Sequence, residues 1–156
     1  MKRQILVSIC LLLCAAVTWA AVEPVSSQKM ELRSGWNLVT LTRPLDAKGA
    51  ETFLALNPMT LKNNGYVLCN TSSMLIAGCG YWVFSREAVT VELVQDFVQK
   101  VTPPTLASGW NLVGYADGWT WPDKASKIWS WDSLTGFAEV KKSALVAGTT
   151  YFVLAK

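Results

Sequence analysis

Ser34-Gly35-Trp36-Asn37-Leu38-Val39 recurs letter for letter as Ser108-Gly109-Trp110-Asn111-Leu112-Val113. Six consecutive identities that include a tryptophan rarely arise by chance, so the chain reads as a tandem duplication. A second pair of segments agrees more loosely. Ala77-Gly78-Cys79-Gly80-Tyr81-Trp82-Val83-Phe84 lines up with Ala147-Gly148-Thr149-Thr150-Tyr151-Phe152-Val153-Leu154. The first offset is 74 residues and the second is 70, so the second repeat is four residues shorter inside.

Each repeat predicts the same short series of elements. A strand over 36–42, and again over 110–116, follows a turn glycine. A helix over 46–56 starts from Asp46 as N-cap. In the second repeat it shrinks to 122–127, with Pro122 at a favoured first-turn position. A hairpin follows, 59–62 and 66–69 around Asn63-Asn64-Gly65, then 128–132 and 137–141 around a turn ending at Gly136. Asn and Gly tolerate the positive φ such turns need. A last strand closes each unit, at 81–85 and 150–155.

Val89, Val91 and Leu93 alternate with Thr90 and Glu92, which predicts one more strand between the units. Pro103-Pro104 makes a stiff connector. Units this small rarely supply a sufficient core alone, so the two are expected to pack on each other about a pseudo-two-fold axis. The expected fold class is α+β, mostly β: two tandem β-rich repeats, each with one short helix. The expected organisation is a signal peptide over 1–20, the first repeat with its linking strand over 21–101, and the second repeat over 102–156.

The chain has 156 residues, 51% hydrophobic and 16% charged, with 8 Trp and no His. That balance describes a globular chain rather than a disordered one. The absence of His removes His-based triads, general bases and metal ligands. Lys2 and Arg3, an apolar run over 5–17 and Thr18-Trp19-Ala20-Ala21 describe a secretory leader cut after Ala20. The run falls short of the roughly 20 residues of a membrane span, although an uncleaved anchor is the alternative. A lipoprotein cut before Cys14 is disfavoured because Leu13 stands where a small residue is required. The expected location is therefore periplasmic, cell-surface or extracellular, with no membrane span in the mature chain.

Without Lys2 and Arg3, 12 basic residues face 11 acidic ones. A near-neutral surface with no basic run gives nucleic acid no electrostatic purchase, so none is expected as a partner. Cys10 and Cys14 leave with the leader. Cys69 and Cys79 remain, and an exporting compartment predicts a disulfide between them. A redox pair is the rival reading, but the spacing is not Cys-x-x-Cys.

Gly-Trp-Asn-Leu-Val near the start of each unit and Gly-Tyr-Trp-Val near its end resemble a repeat of exported bacterial proteins, usually tandem and mostly without an assigned activity. The resemblance covers most of 31–85 and 105–156, and the second repeat departs from it with Thr-Thr-Tyr-Phe-Val. It implies a bacterial envelope or extracellular setting and a non-catalytic module. It carries no functional residues to transfer.

Seven Trp survive maturation, and five lie between Trp110 and Trp131. Trp36 and Trp110 occupy equivalent places beside a turn, so a core role is expected, as it is for Trp82, which aligns with Phe152. Trp129 and Trp131 share a strand face and fall opposite Met59 and Leu61, which favours packing. Trp119 aligns loosely with Leu45, and Trp121 has no clear counterpart. Trp119 and Trp121, flanked by Asp117 and Asp123, are the candidate ligand-binding residues. Same-side aromatics with acidic neighbours would stack on sugar rings and accept from their hydroxyls. The alternative is that this loop packs over the seam between the repeats or contacts a protein.

Catalysis would have to come from a carboxylate pair among Asp117, Asp123, Asp132 and Glu139. Asp132 opens a turn and Glu139 sits on a solvent-facing strand, so no catalytic residue is assigned. No metal site or cofactor is expected either, because no Asp-x-Asp-x-Asp-Gly loop appears. Lys141-Lys142 reads as an exposed strand end, and Asn70-Thr71-Ser72 matches the N-glycosylation triplet. The expected function is an exported, non-catalytic module that binds a polysaccharide or other glycan. The alternative is a structural or protein-interaction subunit of the envelope or an extracellular assembly, and a small carboxylate hydrolase is the weaker third.

Overall fold

The computed structural model describes residues 26–96, 101–116, 119–121 and 124–156. In chain order the elements are β1 (Ser26–Leu32), β2 (Gly35–Thr40), α1 (Ala47–Leu54), β3 (Met59–Lys62), β4 (Gly65–Leu68), β5 (Gly80–Ser85), β6 (Val89–Gln95), β7 (Gly109–Gly114), β8 (Ala125–Asp132), β9 (Gly136–Glu139) and β10 (Thr150–Ala155). Single 3-10 turns precede β5 and β10. Two four-stranded antiparallel sheets share one order, β2-β5-β3-β4 and β7-β10-β8-β9. A two-stranded sheet pairs β1 with β6. The fold is α+β and mostly β, built from two similar units.

The repeated hexapeptide has a structural reason to be repeated. Gly35 and Gly109 both hold a positive φ, 97° and 94°, which favours glycine. The next conserved polar side chain then clamps the turn. Asn37 Oδ1 accepts from the Arg33 backbone N–H at 2.8 Å, and its Nδ2 donates to the carbonyls of Arg33 and Gly35. Asn111 makes the same three bonds to Ala107 and Gly109. A second shared device closes each unit. The Tyr81 hydroxyl accepts from Ile76 N–H at 2.6 Å, and that of Tyr151 accepts from Val146 N–H at 2.9 Å.

Each sheet covers its own core. Tyr81 and Val83 of β5 pack with Met30, Leu32, Leu93 and Phe53 from β1, β6 and α1. Asp46 caps α1 by accepting from Gly49 N–H at 2.7 Å. In the second unit Tyr151 and Val153 pack with Leu106, Trp121, Ala125 and Ile128. There the expected helix over 122–127 is absent where the chain is described: residues 125–127 belong to β8, and Pro122 lies outside the described residues. Pairing with β10, where Ala125 meets Ala155 across a register shift, takes these residues into the sheet instead. Trp121 takes over the work of the helix. Its ring meets Tyr151 at 6.1 Å and 79°, as Phe53 of α1 meets Tyr81 at 5.3 Å and 86°.

The opposite faces of the two sheets meet each other. At the seam Gly80 faces Thr150, and Gly114 faces Thr40. These are equivalent positions, the first residues of β5 and β10 and the last of β7 and β2, so the contact is reciprocal about an approximate two-fold axis. Gly114 N–H also donates to the Gly78 carbonyl at 2.8 Å, and Cys79 bridges to Val113.

Candidate functional site

Strand alternation sorts the aromatic residues of each sheet into two faces. Tyr81 and Val83 go to the core. Trp82 and Phe84 go to the other face, where their cross-strand partners are Leu38 and Trp36. The same face of the second sheet carries Trp110, Trp129, Trp131, Phe137 and Phe152. The two faces touch through Trp82, whose ring stands 4.5 Å from Trp131 at 76° and 6.2 Å from Phe152.

Away from that contact the faces diverge and leave an aromatic cleft with two adjoining depressions. One, of about 540 Å³, is lined by Leu61, Asn64, Tyr66, Trp110, Trp129, Phe137 and Phe152. The other, of about 320 Å³, is lined by Trp36, Met59, Tyr66, Trp82, Trp131 and Phe137. The strand registers make these linings equivalent. Met59 pairs with Trp82 as Trp129 pairs with Phe152, and Leu61 pairs with Tyr66 as Trp131 pairs with Phe137. Trp36 and Trp110 share the repeated motif. Exchanging the repeats therefore converts one depression into the other, with Tyr66 and Phe137 common to both. Each depression draws on both repeats, so neither repeat alone contains one.

Charged side chains are missing from both linings, and the polar groups there are Asn64, the Tyr66 phenol and the tryptophan indole N–H donors. An ion pair stands outside the cleft, Arg33 to Asp132 at 3.7 Å, and joins the start of one repeat to the hairpin of the other. Asp132 Oδ1 also accepts from the backbone N–H groups of Leu134 and Thr135, which together with Arg33 hold its carboxyl below the usual range. That carboxylate organises its own turn.

Several residues stand elsewhere than expected. Trp36 and Trp110 are 45% and 41% exposed rather than core, because they lie at the outer ends of their strands, beyond the contact between sheets. Trp82 is half-buried in the cleft wall rather than in a core, and there Trp131, expected to pack, meets its ring, with Trp129 half-buried beside them. Trp121 is 8% exposed and its ring is spent on Tyr151, so it offers no face for a sugar. Trp119 is half-buried, with its ring edge over Gly78 and Pro104 at the seam between repeats. The stacking pair expected from these two residues is therefore not formed. Asp117 and Asp123 lie outside the described residues.

Cys69 and Cys79 are free thiols, not the expected disulfide. Cys69 is buried in the first core with Cys79 packed against it, so both serve as small apolar side chains. Backbone bonds already hold the ends of the intervening loop: Cys69 N–H donates to Pro58 C=O and Gly78 N–H to Leu41 C=O, each at 2.8 Å. Among the described residues no group of three or more Cys, Asp and Glu could hold a metal ion. None of their helices is long and apolar enough to cross a membrane.

No protein-family model, curated protein or solved structure matches this chain.

Proposed function

We propose that this chain is an exported, non-catalytic module that binds an uncharged, extended segment of a partner protein, rich in proline or aromatic residues, in the cleft between its repeats. The observation that carries the reading is the uncharged aromatic lining of two equivalent depressions, with Trp36, Tyr66, Trp110 and Phe137 all 41–56% exposed. Large exposed aromatics cost little conformational entropy on binding and anchor interfaces. Extended proline-rich segments dock into aromatic-lined grooves because their conformation is already restricted. Export is supported by the basic and apolar leader of the first twenty residues.

A glycan is the second reading, favoured by the exposed ring faces of Trp36 and Trp110. Against it stands the scarcity of hydrogen-bond acceptors in the lining, which only the Asn64 and Tyr66 side chains supply, since a buried hydroxyl left unpaired is costly. Tryptophan fluorescence titrated with proline- and aromatic-rich peptides, and in parallel with soluble polysaccharides, separates the two. The expected result is a saturable shift with a peptide that is lost in folded Trp36→Ala/Trp110→Ala. A shift with a polysaccharide alone replaces the reading with the glycan, and no shift with either class overturns both.

A further inference from the structure

The duplication places the same edge strand on the molecule twice, and the two edges differ in one respect. β4 and β9 each end their sheet, and among the described residues neither has a second strand neighbour. Exposed edges of this kind are usually blunted by charges, which make pairing with another chain unfavourable. β9 is blunted: it carries Glu139 and is followed by Lys141 and Lys142. β4 is not. No Asp, Glu, Lys or Arg occurs anywhere from 63 to 85. By register, Leu68 of β4 stands where β9 has Glu139, since Met59 pairs with Leu68 as Trp129 pairs with Glu139.

We infer that β4 is the edge through which two copies of this chain join, antiparallel and about a two-fold axis, into one continuous eight-stranded sheet. A two-fold perpendicular to the sheet, centred on Val67, sets Tyr66 opposite the partner's Leu68 on the cleft face, and Leu68 opposite the partner's Tyr66. Both are half-exposed in the single chain, 52% and 53%, and aromatic–aliphatic cross-strand pairs stabilise a sheet. The uncharged strand meets itself without like-charge repulsion, and the contact is isologous and closes at two copies. The same operation on β9 would press Phe137 against the carboxylate of a second Glu139, so that edge stays open. Tyr66 also lines both depressions, so the proposed dimer contact borders the cleft.

Sedimentation of the mature chain over a range of concentrations tests it. The expected result is a monomer–dimer equilibrium that disappears in Leu68→Glu, which copies the other repeat's charge onto β4, and equally in Leu68→Lys. Leu68 is half-exposed, so both variants are expected to keep the wild-type near-UV circular dichroism. Glu139→Leu is expected to unmask β9 and carry assembly past the dimer. Trp36→Ala/Trp110→Ala, which empties the cleft walls, is expected to leave the dimer intact. A wild type that is monomeric at every concentration, a dimer that survives Leu68→Glu, or a Glu139→Leu chain that stops at two copies overturns the inference.

Discussion

Thr150 fills the space that Gly80 leaves empty: a Cβ on Gly80 would overlap the threonine's Cγ2 and stand 2.7 Å from Leu112 Cγ. The reciprocal pair, Gly114 and Thr40, is arranged in the same way with the roles of the repeats reversed. At each point of closest approach one repeat contributes the glycine and the other a threonine side chain, by its methyl group at Thr150 and by its hydroxyl at Thr40. Two identical repeats could not do this, because equal residues would face each other as Gly–Gly voids or Thr–Thr clashes. The difference between the two units at these positions is therefore what makes the seam complementary.

Gly80→Ala and Gly114→Ala are accordingly expected to destabilise the protein by about 1–3 kcal/mol each, the usual cost of overpacking. Adding Thr150→Ala to the first and Thr40→Ala to the second is expected to recover much of the loss. Urea unfolding of the singles and doubles measures the coupling. Additive losses would mean that the seam does not pack as described.

The two threonines answer differently to valine. Thr40 Oγ1 donates to the Cys79 carbonyl at 2.9 Å, whereas Thr150 Oγ1 is buried with no hydrogen-bond partner among the described residues. Thr150→Val removes an unsatisfied hydroxyl and is expected to be neutral or stabilising by about 1 kcal/mol, while Thr40→Val is expected to cost about 1 kcal/mol or more. Thermal unfolding of the two variants checks the sign of each.

Alkali is expected to loosen the first repeat. Burial pushes the Cys69 and Cys79 thiols up, a shift the neighbouring Cys69 reinforces at Cys79, and burial likewise pushes up the Tyr81 phenol. In each case the unfolded chain loses its proton first. Stability is thus full below the ordinary thiol pKa near 8.5 and falls as pH rises through the thiol range and past the ordinary Tyr value near 10. Melting temperature against pH should show that decline, and Cys69→Ala/Cys79→Ala/Tyr81→Phe should flatten it. An unchanged slope in the triple variant would assign the decline to other groups.

Trp121→Ala is expected to cost about 3–5 kcal/mol, as does loss of a buried aromatic elsewhere, and Phe53→Ala a similar amount. Trp119→Ala, at the half-buried seam, should cost less. If Trp121→Ala proves stable and instead abolishes ligand binding, the ring is a binding residue and the core assignment fails.

The β-rich class with its two similar sheets, both hairpins and the Asp46 cap were legible in the chain, because each rests on local chemistry: glycine at positive φ, Asn in a turn, alternation along a strand. The same local logic misplaced Trp36, Trp110 and Trp121. Alternation says that Trp36 and Leu38 share a face, but not whether that face meets solvent, its own core or another sheet. The equivalence of Trp121 with Phe53 was invisible for a related reason. One residue sits in a loop and the other on a helix, and only their common contact with Tyr151 and Tyr81 relates them. The twin depressions are a further step removed from the chain, since each needs side chains from both repeats. Their existence was decided by how two sheets pack through Gly80–Thr150 and Gly114–Thr40, which is a property of the folded seam and of no single segment.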